Sequence, residues 1–474
     1  MKSKFGLLII GIVTFSLGRL SDGQCPESCD SNENTALGQG TLINNSIGLS
    51  NTALGFETLQ NNNGDNNTAA GVRALTNNTD GNRNTALGYV ALLHNTTGNN
   101  NTAVGVAALL SNVSGNSNTA VGFNTLSLST ASANTAVGSA ALEKNTAGAA
   151  NSAFGYHALR NNDTGSSNMA SGHRALESNT FGGGNTASGA FSLERNTVGE
   201  SNTAAGVSAL SSNATGDNNS AFGGAALFLN TIGKNNTACG YVSLYNNDTG
   251  VGNTAVGQNA LSNNTTGNHN LALGLNAGVN LTDGSDNVDI ASAGLAGESN
   301  TIRIGDSQTT TFIAGISGVT VAGGVGVLID NSGHLGTATS SVRFKEQIKP
   351  MDRASESVLA LEPVTFRYKP ALDPKNVPQF GLVAEQVEKI NPDLVVHDDE
   401  GKPYTVRYEA VNAMLLNEFL KEHHKVEEQA NLNRQQEASI ARLEVTVREQ
   451  AAQLREVNAR LAALQPSSPV VRNQ

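Results

Sequence analysis

Side chains able to do chemistry are scarce in this sequence and gather late in it. From Ser340 onward charged residues and aromatics return, and the stretch opens with two hydroxyls and two cations: Ser340, Ser341, Arg343 and Lys345. A serine hydroxyl is a poor nucleophile until a base takes its proton, and a lysine can do that only if burial lowers its pKa. His334, six residues ahead of Ser340, reads as a bystander, and Arg343 as a solvated or ion-paired side chain. No cofactor and no metal is expected. Gly323-Gly324-Val325-Gly326 is followed by no Lys-Ser/Thr pair and opens no helix, so it is not a phosphate loop.

The elements that would hold these residues form a compact globular stretch, punctuated by Pro350, Pro363, Pro370, Pro374, Pro378 and Pro392. Its opening, Leu335-Gly336-Thr337-Ala338-Thr339-Ser340-Ser341-Val342-Arg343-Phe344-Lys345-Glu346, resembles the start of the endosialidase-type intramolecular chaperone domain. The resemblance continues through Phe380-Gly381-Leu382-Val383-Ala384-Glu385-Gln386-Val387, Asn391-Pro392-Asp393-Leu394-Val395 and Tyr408 followed by a helix. That domain is a self-cleaving serine peptidase found at the C-terminus of phage tailspikes and fibres, and the likeness covers residues 340–424. It implies Ser340 as nucleophile, Lys345 as general base, and a scissile bond between Thr339 and Ser340. Ser341 is the competing nucleophile, one residue out of the family spacing, and it stands where many relatives carry Asp. Glu385 reads as structural. Trimer assembly would supply the burial the lysine needs, so that cleavage depends on correct folding.

Ahead of this domain the chain restates one phrase: Asn-Thr-Ala-x-Gly, then x-x-Ala-Leu, then a polar Asn/Thr/Gly stretch. The phrase begins at Asn34, Asn51, Asn67 and so on to Asn270, at steps of 16 or 17 residues. A fixed period of this size means a solenoid of stacked coils. Glycine is invariant at the fifth position, which implies positive φ or a closely approaching neighbour. Leucine at the ninth position is nearly as strict, and the fourth is usually apolar (Leu37, Leu54, Val104, Val121, Phe154, Phe222, Val256). Two apolar columns suggest two short strands per coil facing a thin core. So thin a core hardly offsets the ordering of a whole coil, so backbone ladders, Asn and Thr stacks and burial against other chains must contribute. At about 4.8 Å per coil, the fifteen repeats span roughly 70 Å. The phrasing resembles the head repeats of trimeric autotransporter adhesins, which implies a parallel β-roll packed three around an axis. The membrane-embedded β-barrel that ends a true autotransporter is absent from this sequence. Repeated Asn and Thr read either as stacks between coils or as a ligand face; stacking is the simpler expectation.

Read in order, the chain divides into an export signal (1–23), a linker (24–33), the repeats (34–286), a β-rich neck (287–339), the chaperone and peptidase domain (340–424), a coiled coil (425–465) and a loose tail (466–474). The signal rests on Lys2 and Lys4 before an apolar run from Phe5 to Leu17, with Ser21-Asp22-Gly23 as the cleavage site. No later segment could cross a membrane. Cys25 and Cys29 could pair within or between chains after export, and Cys239, at a usually apolar fourth position, is expected to be a small buried hydrophobe. A net charge of −11 without a basic cluster argues against a nucleic-acid partner. Ile440, Val447, Leu454 and Leu461 recur every seven residues, with Leu443, Val457 and Leu464 interleaved, Gln450 breaking one interleaved site, and Pro466 ending the pattern.

The expectation is a mostly β protein: a parallel β-solenoid, a small α+β chaperone domain and a C-terminal trimeric coiled coil. Such a chain would be an exported homotrimeric fibre or adhesin-like structural protein, secreted or at the cell surface, whose partner is itself. The alternative is an ice-, glycan- or receptor-binding surface protein that uses the Asn/Thr face and keeps its C-terminal domain as an uncleaved cap. A membrane-tethered transcription factor would need a DNA-binding module where the polar repeats stand.

Overall fold

The computed structural model describes residues 31–330 and 332–464; the expected export signal, Cys25, Cys29 and the tail after Pro466 lie outside them. The chain forms two compact units, one ending at Phe312 and one beginning at Ile313.

In the first unit each repeat closes one coil. Seventeen strands of three residues, from β1 (Thr35–Leu37) to β17 (Ile302–Ile304), make one parallel sheet of about sixteen turns. Register is like on like: Thr35 faces Thr52, Ala36 faces Ala53 and Leu37 faces Leu54. The backbone ladder also follows the chain around its turns, as in Gly71 N donating to Leu54 O at 2.9 Å and Leu75 N to Ala91 O at 2.9 Å.

The structure corrects the expected two strands per coil to one. Positions seven and nine take left-handed backbone, as at Arg73 (φ 60°) and Leu75 (φ 53°), and two such residues bend the chain back on itself. Left-handed backbone costs a non-glycine residue roughly 1 kcal/mol or more. The leucine offsets this, because it is fully buried from Leu59 through Leu261. The fifth-position glycine is required by close approach: a Cβ on Gly38 would lie 2.2 Å from the carbonyl oxygen of Gly55.

A second correction concerns the fourth position. Side chains alternate along a strand, and the alanine at position three points inward with no exposed surface from Ala53 to Ala272. Positions two and four must then point out. Leu37 is 54 % exposed and Phe154 44 %, so the second apolar column lies on the exterior and the core is built from alanine and leucine. Cys239 follows its column outward and is exposed, not buried.

Asparagine completes the interior. The position-one amide joins two coils: Asn34 Oδ1 accepts from Asn51 N at 2.8 Å while Asn34 Nδ2 donates to Gly48 O at 2.9 Å. At position twelve Asn95 Nδ2 donates to Asn78 Oδ1 at 2.6 Å and to Gly98 O at 3.0 Å, and the rung repeats coil after coil. Both columns are buried, so these asparagines stack between coils and present no face. Among the described residues two buried amide carbonyls lack a donor, Asn112 Oδ1 and Asn264 Oδ1. In each case the next coil breaks the column, with Ser129 and Leu281 at the following rung.

The ladder outlasts the sequence period. After β16 (Val288–Ile290) pairs with β17, Asp289 occupies the inward site that alanine holds elsewhere, and its Oδ2 has no hydrogen-bond partner. Burial first, then the charges of Glu298 and Asp306, push its carboxyl up to about 6 against the opposing pull of Arg303.

The second unit is a small α+β assembly. It comprises the antiparallel pairs β18 (Val327–Ile329) with β19 (Leu335–Thr337), β20 (Val364–Phe366) with β21 (Gln379–Gly381), and β22 (Val395–His397) with β23 (Pro403–Val406). Helix α1 (Ala384–Ile390) precedes β22, and α2 (Tyr408–Ala463) is 56 residues long. A 3-10 segment, Asp352–Ala360, packs on α2. Its core is small: Val358, Val387, Leu394, Val395, Val406, Val411 and Met414, with Leu361, Leu382, Ala384 and Ala410 packed against them. Phe380, Leu372, Tyr404 and Phe419 stay exposed, as do Ile440, Val447, Leu454 and Leu461 along α2. Among the described residues no helix is long and apolar enough to cross a membrane.

Candidate functional site

Ser340 lies three residues beyond β19. A single 3-10 turn, Val342–Phe344, then folds the chain back, closed by Phe344 N to Ser341 O at 3.0 Å and Lys345 N to Val342 O at 3.1 Å. The turn carries Lys345 onto the first serine, and Lys345 Nζ donates to Ser340 Oγ at 3.2 Å. A spacing of five suits this geometry, since one tight turn separates the two side chains. Ser341 sits at the head of the turn without capping it through its side chain. The same contact serves proton transfer in the other direction once the amine is neutral. Both side chains are exposed within the single chain, so a dry pocket is not built by this chain alone.

The other sequence candidates stand apart from this pair. Arg343 lies over the Phe344 ring at 4.8 Å, His334 Nδ1 is 3.6 Å from Asp330 Oδ2, and Glu385 is an exposed first-turn residue of α1. Among the described residues no group of three or more His, Cys, Asp or Glu could hold a metal ion.

The blocks that carry the resemblance brace the domain. Tyr408 at the start of α2 accepts from Leu382 N at 3.0 Å, and a Cβ on Gly381 would come within 2.8 Å of that hydroxyl. Asn391 accepts from Asp393 N at 3.1 Å, fixing the Asn-Pro-Asp turn, and its Nδ2 donates to Ser357 Oγ at 3.1 Å.

One polar cluster was invisible in the sequence. Ser355, fully buried on the Asp352–Ala360 segment, donates to Glu418 and accepts from Asn417 Nδ2 at 2.7 Å and Lys421 Nζ at 3.3 Å. This second serine–lysine contact is not a nucleophile and its base. Lys421 is committed to Glu418 at 2.6 Å, and that lysine with Ser355 holds the Glu418 carboxyl below its usual range. The cluster fastens the segment that follows the Ser340–Lys345 turn to the long helix. A polar residue within an otherwise ordinary short amphipathic stretch was the only signal available.

No curated protein matches the chain. Residues 340–396 match the family model described as chaperone of endosialidase, so the chain carries that domain behind a long parallel β-solenoid, an architecture consistent with a tail-fibre-like protein.

Proposed function

We propose that this is an exported, homotrimeric fibre protein whose C-terminal domain directs assembly and then releases itself by one cut between Thr339 and Ser340. The observation that carries the reading is the 3.2 Å contact between Lys345 Nζ and Ser340 Oγ inside a domain matched to chaperone of endosialidase. The exposed apolar residues of the second unit and the heptad row on α2 support association, with the row forming a three-stranded coiled coil.

In this reading neighbouring chains cover the Ser340–Lys345 turn and lower the lysine pKa by desolvation. The neutral amine takes the Ser340 hydroxyl proton, and Oγ attacks the Thr339 carbonyl carbon. The Thr339–Ser340 C–N bond breaks as the proton passes to the departing nitrogen, leaving Thr339 esterified on Ser340 Oγ. Water then hydrolyses the ester, giving the Thr339 carboxylate and a free Ser340 amine and hydroxyl.

Intact mass of the purified protein beside Ser340→Ala tests this. The expected product is residues 340–474, which is 474 − 339 = 135 residues or roughly 15 kDa, from wild type only. An uncut wild-type trimer overturns the cleavage reading.

One observation favours a second reading. The position-two threonines point outward in parallel register from β1 onward, interrupted at Ser152, Met169, Ser220 and Leu271, which is a column that a glycan or an ice surface could meet. Replacing Thr102, Thr119 and Thr135 by Val would abolish ligand capture in that case and leave it unchanged otherwise.

A further inference from the structure

The outward side of the solenoid is divided by charge. From Asn34 to Gly274, positions two, four and six hold no Asp, Glu, Lys or Arg. Ion pairs run along other columns, as in Arg73–Glu57 at position seven, Arg160–Glu143 at position ten and Lys234–Asp217 at position sixteen. Positions four and six flank the glycine, which has no side chain, and together they form a strip of mostly apolar and aromatic groups, in which Gln39, Ser139, Ser171, His173, Ser188 and Gln258 are the polar members. Phe123 is 55 % exposed and Tyr241 61 %, with Leu54, Phe154, Phe222 and Leu275 also in the open.

Its size says what kind of surface this is. Fifteen coils at about 4.8 Å, and a width of roughly 10 Å across the two columns, give about 700 Å². The largest apolar patch on an ordinary monomer is about 300–600 Å², and a stable interface buries about 800 Å² per partner. Parallel copies of the chain share the strip's rise, so coil meets coil along its whole length without leaving any charge unpaired. The second unit points to the same occupant, because the exposed heptad row of α2 also asks for parallel copies.

We infer that the strip formed by positions four and six is the face along which the solenoids of neighbouring copies pack. This rests on the trimer reading and adds to it the residues that meet. The strip also carries a size code. Phe222 stands beside Gly224, whereas in the next coil the small Cys239 stands beside Tyr241, and in mid-strip Ser171, Ser188 and Ala190 replace bulky groups. Copies shifted by one coil would set bulk against bulk, so the strip distinguishes one register that the repeat alone would not.

Cys239 is a built-in reporter, since it stands in the strip. The test uses the full chain with Cys25→Ser and Cys29→Ser, beside a Cys239→Ser, Asn263→Cys chain whose thiol lies on an exposed polar column. Light scattering gives the oligomeric state and maleimide labelling gives thiol access. The expected result is a trimer in which Cys239 labels about tenfold or more slowly than the Asn263→Cys thiol and in which a short bis-maleimide joins chains through Cys239 alone. A trimer with equally fast labelling overturns the assignment of this face and leaves the trimer reading standing. A monomer overturns both.

Discussion

Asn246 and Asn247 are adjacent, identical in chemistry, and differ in which way they point, so replacing each by Ala isolates the buried ladder. Asn247 donates to Asn230 Oδ1 at 2.8 Å and Gly250 O at 3.1 Å, and accepts from Asn264 Nδ2 at 2.9 Å. Gly250 O keeps a second donor in Asn236 and Asn264 keeps Gly267 O, whereas Asn230 Oδ1 is left buried with none. An orphaned buried acceptor costs about 1–3 kcal/mol and each lost bond about 1 kcal/mol. Asn247→Ala should therefore destabilise by about 2–4 kcal/mol. Asn246 makes one exposed contact to Asn263 Oδ1 at 3.4 Å, and its loss should stay within about 0.5 kcal/mol. In urea, with a slope of about 3 kcal/mol/M, the midpoints should fall by roughly 1 M and less than about 0.2 M respectively, measured at equal protein concentration. Equal shifts in the two variants would refute the claim that the position-twelve amides are structural rungs.

The converse change should stabilise. Ser129→Asn places an amide donor against the unpaired Asn112 Oδ1, in the way Asn95 Nδ2 donates to Asn78 Oδ1 at 2.6 Å in a regular coil; a gain of about 1 kcal/mol in urea is expected. Asp289 sets a pH dependence of known sign. Burial raises its folded pKa to about 6, above the ordinary aspartate value of 3.8, so the end of the solenoid is most stable below about pH 4 and loses that stability as pH rises through 6. Hydrogen exchange of coils near Asp289 should quicken between pH 5 and 7.5 after correction for intrinsic rates, and Asp289→Asn should remove the trend. At the cut site Ser341→Ala should still release the 15 kDa fragment, whereas Lys345→Met should remain whole while keeping the mass of the assembled protein; release from Lys345→Met would exclude the lysine as base.

Periodicity made the solenoid legible, because a coil that must close on itself repeats its glycine and its leucine. The same pattern misled at position four. An apolar column reads as core, but with alanine at position three fixed inward, strand alternation sends Leu37, Phe154 and Cys239 to the surface. The second strand failed for a related reason. Leu75 and its equivalents point inward from left-handed backbone, which hydrophobic spacing does not distinguish from a strand. In the second unit the Ser340–Lys345 proximity follows from one tight local turn and so was within reach of sequence reasoning. The Ser355 cluster joins residues 62 to 66 positions apart, a separation that carries no local pattern.

The two kinds of register in this molecule have different physical origins, and this bears on why a rod would need a clamp. Within a chain, register is enforced locally: a coil slipped by one residue would place threonine where alanine packs and break both asparagine ladders, a penalty paid at every turn. Between chains, in the proposed trimer, no such penalty exists, because a shift by a whole coil restores nearly the same surface everywhere except at the irregular positions of the strip. Those few mismatches act only after long stretches have already aligned. Folding of a solenoid can begin at any coil and spread to its neighbours, so alignment fixed at one end before the coils close is worth more than alignment tested afterwards. Helix α2 is suited to that task, since its heptad row is interrupted by Gln450 and so is not self-similar under every seven-residue shift. A clamp with that role is needed only once, which is what a single irreversible cut between Thr339 and Ser340 would accommodate.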